Sequence, residues 1–484
     1  MKRISNYALM LVTSVLLFSA CSKDSDGPGA TPEPNPNPNP PATELKFPRK
    51  EMRATWFATV WELDWPGVRG EAAQKQKFIT MLDRLKELKF NAIFFQVKGL
   101  GDAFYNSPYE PWSAAISGTR GVDPGYDVLK FLIEESHARG IEFHAWMNPY
   151  RISTRAVGGP AYPALHSSID ASWVKDYPAI RIYNPAIPEV RQRLNDIVKD
   201  LITKYDVDGI HFDDYFYPTG VTHDDAADYT KYGAGYTSVA SFRRGNVDKT
   251  IEGVFNTIKA TKPQVVFSVS PAAERAHSYN NLFADVPKWT SSGWVDILIP
   301  QLYQRIGNTI NSFESTLADW TQFRGKSKLV VGHALYRFGT SDAGFGSGQE
   351  LVNQFARVRL NEHAVGSAMY SMKSIIENKI DITNTLKELY SKDVLMPFVG
   401  REVAAAPAVP SSLKLTGNEL SWTGSGSNIR FAVYYFNSLT AEGELVGVTT
   451  SNKFNVTKNG HYVVTALNVD HVESKASTPV EKKL

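Results

Sequence analysis

A chain of 484 residues with 43% hydrophobic and 21% charged residues can fill a sizeable core and is comfortable for two domains. Its net charge of +2 sets up no phosphate-directed field, which argues against a nucleic-acid partner. One cysteine leaves no disulfide to form, and scattered histidines without a His-x-x-x-His spacing give no support to a metal site, so neither metal nor cofactor is expected.

The chain opens on Lys2 and Arg3, followed by an apolar run from Tyr7 to Phe18 that is short for a membrane span. Phe18-Ser19-Ala20-Cys21 then reads as a lipobox. Residues 1–20 are therefore expected to be a lipoprotein signal peptide, and Cys21 the acylated mature N-terminus, held in a membrane by several acyl chains together. The implied location is extracytoplasmic, an outer-membrane lipoprotein facing the periplasm or the cell surface. Ser22-Lys23-Asp24-Ser25-Asp26 suits either an acidic surface-export signal or a solvated tether. Residues 21–44 form that tether; its Pro-Asn repeat favours extended chain of about 3 Å per residue.

From 45 to 400, eight short β-rich runs alternate with amphipathic stretches. The runs are Arg53–Val60, Asn91–Lys98, Ile141–Asn148, Gly209–Asp213, Val265–Ser270, Asp296–Tyr303, Leu329–Ala334 and Gly366–Tyr370, with helical periodicity over Phe78–Lys89, Tyr126–Arg139, Pro188–Tyr205 and Asn246–Thr261. Eight strand–helix repeats predict an α/β fold, a (β/α)8 TIM barrel, over a doubly wound sheet. No Gly-x-Gly-x-x-Gly follows the first run, and Gly344 to Gly348 reads as a loop. Residues 401–406 read as a linker. Residues 407–484 carry strand patterns at Leu413–Leu415, Glu419–Trp422, Arg430–Phe436, Lys453–Val456 and His461–Asn468, with a turn at Asn459-Gly460. A small all-β sandwich follows, whose Leu420-Ser421-Trp422 and Tyr462 to Asn468 resemble fibronectin type III strands, with Trp422 in the core.

In a parallel barrel the chemistry sits where strands end at the C-terminal face. The fourth run ends in Ile210-His211-Phe212-Asp213-Asp214-Tyr215-Phe216-Tyr217. Adjacent carboxylates raise one another's pKa, so one acid can stay protonated near neutral pH, as glycoside hydrolysis requires. Successive strand residues point to opposite faces, so Asp214 joins Asp213 only if the strand has ended. In that case the pair suits a substrate-assisted mechanism, with Asp213 orienting a 2-acetamido group and Asp214 donating the proton. Otherwise Asp213 acts alone and its partner lies elsewhere. Glu274 is a candidate second acid, with a salt bridge to Arg275 or another base as the competing role; Glu142, near a strand start, suits an ion pair better than catalysis. The third run sets Glu142, His144, Trp146 and Asn148 on one face, with His144 and Asn148 as sugar-hydroxyl ligands. Gln96 and Lys98 should point together, and Gln301 and Tyr303 end the sixth run; these face substrate or fill the upper barrel layer. Tyr150, Arg151, His211, Tyr215 and Tyr217 complete the candidate binding residues. Of Trp56, Trp61, Trp65 and Trp112, one or two should stack on sugar and the rest pack. His223-Asp224-Asp225 suits a solvated loop better than calcium. The partners implied are a glycan substrate and a membrane reached through the N-terminal lipid, for a monomeric protein.

Several motifs together resemble the glycosyl-hydrolase-like ten family. They are Arg53-Ala54-Thr55-Trp56-Phe57-Ala58-Thr59-Val60, Asp64-Trp65-Pro66, Phe95-Gln96-Val97-Lys98, Pro124-Gly125-Tyr126-Asp127, His144-Ala145-Trp146-Met147-Asn148-Pro149-Tyr150-Arg151, Asp208 to Tyr217 and Pro300-Gln301-Leu302-Tyr303. The resemblance spans about Arg49 to Pro397. It implies a barrel hydrolase of cell-envelope or related glycans, peptidoglycan-like and cut between N-acetylated sugars, with the motif role falling on Asp213 and Asp214. Ala273-Glu274-Arg275-Ala276-His277 and Gln304 depart from the family pattern at expected substrate-facing loops, which bears on substrate more than on reaction class. The rival class is a non-catalytic surface glycan-binding lipoprotein on the same scaffold. A metal-dependent deacetylase lacks a ligand set, and an esterase lacks its Gly-x-Ser-x-Gly.

Overall fold

The computed structural model describes residues 44–400 and 405–483; the leader, Cys21, most of the tether and part of the expected linker lie outside the described residues. Strands Met52–Phe57 (β1), Ala92–Lys98 (β2), Glu142–Met147 (β3), Gly209–Phe212 (β4), Val266–Val269 (β5), Ile297–Leu298 (β6), Lys328–His333 (β7) and Ala364–Met369 (β8) close a parallel barrel, each pairing with its sequence neighbours and β8 with β1. Alternation along each strand sorts the side chains into two clusters. Phe57, Phe95, Phe143, Ile210 and Phe267 face outward and join one core with Phe78, Leu82, Leu194, Ile251 and Leu351 of the surrounding helices. Met52, Ala54, Trp56, Ala92, Phe94, Trp146, Val330 and Ala368 fill the lumen.

The helices outside include Glu71–Glu87 (α1), Val128–Ala138 (α2), Pro188–Lys204 (α3) and Val239–Thr261 (α4). Asp127 caps α2 by accepting from Lys130 N at 3.1 Å. A Ser238–Ser241 capping box starts α4 at Val239, ahead of the periodic pattern that pointed to Asn246. The sixth run is corrected: only Ile297–Leu298 is strand, because Pro300 offers no N–H to the ladder. Ile299 N and Gln301 N still donate to Val269 O and Pro271 O at 2.8 and 3.0 Å, which keeps this segment beside β5. Between β3 and α3 stands an unforeseen antiparallel sheet of Arg151–Thr154, Val174–Asp176 and Ile180–Tyr183, too short and interrupted for a periodic signal.

After the barrel, antiparallel sheets form the small all-β domain. Ser411–Thr416 (β9), Glu419–Thr423 (β10) and Lys453–Asn455 (β13) make one sheet. Glu444–Thr449 (β12), Arg430–Phe436 (β11), Gly460–Leu467 (β14) and Val480–Lys482 (β15) make the other, β12 and β15 being the strands the sequence reading did not supply. Trp422 is buried between them with Leu420, Phe431 and Val464. This domain meets the N-terminal foot of the barrel. His471 Nε2 lies 2.6 Å from Glu142 Oε1, Lys50 pairs with Glu473 at 2.7 Å, and Phe47 packs edge-on against Tyr434 with ring centres 4.8 Å apart.

Gly209 opens β4 where a Cβ would stand 2.2 Å from His144 Nδ1 and 3.0 Å from Val266 Cγ2. Gly209→Ala should overpack the lumen and lower stability by about 1–3 kcal/mol. Urea unfolding would measure it; an unchanged midpoint would show that His144 can move aside freely.

Candidate active site

Strand β4 ends at Phe212, so strict alternation stops before the two acids, and Phe216 N turns back onto Asp214 O at 3.0 Å. Asp213 and Asp214 therefore emerge together at the C-terminal mouth of the barrel. Asp213 is only 4% exposed, and three N–H groups grip it. Trp146 Nε1 donates to its Oδ2 at 3.0 Å, Asn148 Nδ2 donates to the same oxygen, and Tyr215 N donates to Oδ1 at 3.1 Å. Asn148 is in turn fixed: its Oδ1 accepts from Gln96 Nε2 and from Arg151 Nη2, both at 2.7 Å. Gln96 Oε1 accepts from the backbone N–H of Thr59 and Val60 at 3.0 and 2.9 Å. Asp214 is half-buried and accepts from Gln301 Nε2 at 3.2 Å.

Burial, then the neighbouring Asp214 charge, pushes Asp213 up to about 7, and burial raises Asp214 as well. The two titrate as a pair. Donors surround Asp213 and favour its anion, so the proton the pair retains belongs on Asp214, which meets fewer donors and has an open side. Tyr215 is 49% exposed beneath the Arg151 guanidinium, 4.5 Å from its ring centre. Tyr303, half-buried, stands 6.0 and 6.1 Å in ring centres from Tyr336 and Tyr370. Burial and Tyr370 push the Tyr303 phenol well up, so it remains a proton-bearing donor.

Some candidate residues lie elsewhere than the sequence suggested, and others, Glu142 and Gln96 among them, take the structural role weighed beside the functional one. Trp56, Gln96, Trp146, Asn148 and Arg151 are all buried. Trp56 packs in the lumen and the other four build or brace the grip on Asp213, which leaves little surface for a sugar. His211 is sealed in the lumen: Trp56 Nε1 donates to its Nε2 at 3.1 Å and its Nδ1–H reaches Ser268 Oγ at 2.8 Å. Burial holds it well below the usual imidazole range, neutral. His144 points to the foot of the barrel, with Nε2 3.0 Å from Glu142 Oε2, so it is no sugar ligand. Glu142 is at the same far end: burial would raise it, but His144 and His471 on its two oxygens hold it low. Lys98 does not point with Gln96. A register shift between them sets Lys98 beside Met147, where its ammonium donates to Leu100 O at 3.0 Å near Glu110. Tyr150 and Tyr217 are buried outside the lumen, the first donating to Thr250 at 2.7 Å, the second packed on His223 and Phe283. Glu274 is exposed and accepts from Asn311, while Arg275 pairs with Asp319 at 3.1 Å. Asp225, in the loop weighed for calcium, is bound by Lys175 and Arg243. Among the described residues no group of acidic, histidine and cysteine side chains could hold a metal.

Two contributors went unread. Tyr370, just past β8, packs 6.1 Å from Trp56 in ring centres and feels the Asp213 charge. Asp64, buried, joins the β1 and β8 loops by accepting from Ala58 N at 2.6 Å and Ser371 Oγ at 2.8 Å, and burial lifts it to about 6. Asp64 stood in a motif and Tyr370 at a strand end; only their contacts separate a brace from a core residue.

Residues 51–342 match the family model described as Glycosyl hydrolase-like 10. The chain is 34% identical over 478 residues to "Glycosyl hydrolase YngK" of Bacillus subtilis (strain 168), covering 90% of this chain and 94% of that protein. It is 34% identical over 369 residues to "Glycosyl hydrolase DigH" of Escherichia coli (strain K12), covering 69% and 83%. Among solved structures, the PgaB (BpsB) glycoside hydrolase domain from Bordetella bronchiseptica aligns with 70% of this chain and 98% of its own at 14% identity, with a TM-score of 0.48.

Acids held above their ordinary value take up protons on folding, so they cost nothing below about pH 4 and destabilise increasingly as pH rises toward 7. Asp214→Asn removes that repulsion. The variant should match the parent near pH 4 and exceed it by about 1–3 kcal/mol at pH 8 in denaturant midpoints. A gain that grows toward acid pH would contradict the charge assignment.

Proposed function

The chain belongs to the glycosyl hydrolase-like 10 family, and we propose that it is a glycoside hydrolase whose working acids are Asp213 and Asp214. Its substrate on this reading is a cell-envelope or related glycan of peptidoglycan type, rich in N-acetylated sugars. One observation carries the proposal: an acid locked by three N–H donors adjoins a half-open acid at the mouth of the barrel. The other candidate carboxylates are engaged away from the pair, Glu142 with two histidines and Glu274 with Asn311. That arrangement supports substrate assistance over a protein nucleophile.

The steps follow from the geometry. Asp213 Oδ1, with one backbone bond, retains a lone pair for the N–H of a 2-acetamido group and turns its carbonyl oxygen toward C1. That oxygen forms a bond to C1 as the glycosidic C–O bond breaks, and the Asp214 proton passes to the leaving oxygen. The Asp214 carboxylate then takes a proton from the water that opens the cyclic intermediate. The basic leader, apolar run and Cys21 support an extracytoplasmic, lipid-anchored setting for this chemistry, with the 21–44 tether as spacer. Among the described residues no helix is long and apolar enough to cross a membrane.

Reducing ends released from peptide-free peptidoglycan strands and from N-acetylglucosamine oligomers provide the test. Asp213→Asn and Asp214→Asn should each lose roughly 10²–10⁴-fold in kcat, and parent activity should fall toward alkaline pH as Asp214, raised by burial, loses its proton. Undiminished release in both variants would refute the assignment. Binding to these glycans without release by the parent would favour the non-catalytic reading.

A further inference from the structure

Trp61 is a large apolar side chain that the fold does not use. Its indole is 75% exposed, although most tryptophans of the chain are buried or half-buried. Its backbone is held at a φ of +54°, and that of Glu62 at +52°, a left-handed conformation that a bulky side chain adopts only under constraint. An outward-facing indole on a constrained turn is costly in water, so its position calls for a partner.

The turn borders a cavity of about 260 Å³, lined by Trp61, Val60, Arg69, Leu100, Asp102 and Ser113 among others. A chain of hydrogen bonds links the cavity lining to the acid pair. Val60 N holds Gln96, Gln96 holds Asn148, and Asn148 holds Asp213; Arg151, on the same amide, donates to the carbonyl of Gly99 at the cavity edge at 2.9 Å. Charge at the cavity is offset locally. Arg69 is paired to Glu62, and Asp102, raised by burial, faces the Arg120 and Lys98 cations. What remains is one flat aromatic face beside hydrogen-bonding groups whose charges are paired.

We propose that Trp61 and this cavity form a distal subsite for a neutral pyranose ring of the same glycan chain, which stacks its C–H face on the indole. This rests on the glycosidase reading and extends it: the site takes an oligosaccharide reaching from the acid pair to Trp61, beyond the sugars at the cut.

Two readouts separate this subsite from the catalytic assignment. The first is hydrolysis of a hexamer and a dimer of N-acetylglucosamine and of peptide-free peptidoglycan strands. Trp61→Ala should raise KM about tenfold for the long substrates, with kcat and dimer turnover unchanged, and Trp61→Phe should recover most of the loss. The second is tryptophan fluorescence of Asp214→Asn, in which catalysis is disabled. The hexamer or the strands should shift its emission, and the shift should vanish when Trp61→Phe is added. Equal KM for long substrates in parent and Trp61→Ala, or no Trp61-dependent shift with either probe, overturns the subsite. A Trp61-dependent shift in a parent that hydrolyses none of these glycans upholds the subsite and removes the glycosidase reading instead.

Discussion

A carboxylate driven below the surface at the end of a strand must be met by donors, and the mouth of this barrel is built around that requirement at Asp213. Trp146 and Asn148 supply side-chain N–H groups and Tyr215 a backbone one. None of these donors is free to turn away. Asn148 has its amide oxygen committed to Gln96 and Arg151, which decides which way the amide faces, and Gln96 is pinned by two backbone N–H groups of the β1 loop. Three strand ends and one loop thus converge on a single oxygen pair before any ligand arrives. Such preorganisation is what a site needs if it is to favour a charged transition state without first rearranging.

The rest of the barrel keeps that mouth rigid. Trp56 fills the lumen beneath it because Gly332 has no side chain there: a Cβ would lie 3.2 Å from the indole. His211 takes the Trp56 N–H and passes its own to Ser268, so a polar ring sits satisfied in an apolar core. Asp64 binds the β1 loop to the β8 loop, which brings Tyr370 over the same lumen.

The fold was legible because its signal is periodic and repeated. Eight runs and their intervening helices announce a barrel even though β6 keeps only Ile297 and Leu298 of its expected length. The acid pair was legible because adjacent aspartates after an apolar run are rare in a structural role. Which of the other candidate side chains stand at the mouth was not. Alternation places His144, Trp146 and Asn148 on one face, yet it says nothing of height, and His144 belongs to the foot while Asn148 belongs to the mouth. Lys98 escaped the rule because a single register shift reverses every inference that follows it. Tyr150 and Tyr217 share a motif with working residues but serve the helix packing behind them. Motifs preserve scaffolds as well as chemistry.

At the opposite end, Glu142 is half-buried, with one oxygen on His144 and the other on His471 of the C-terminal domain. An anion so placed needs the solvation it has lost to be replaced by something. The appended domain performs that service for the barrel. It stands in for part of a hydration shell at the foot, so the barrel's lowest layer is complete only when the C-terminal domain has docked against it.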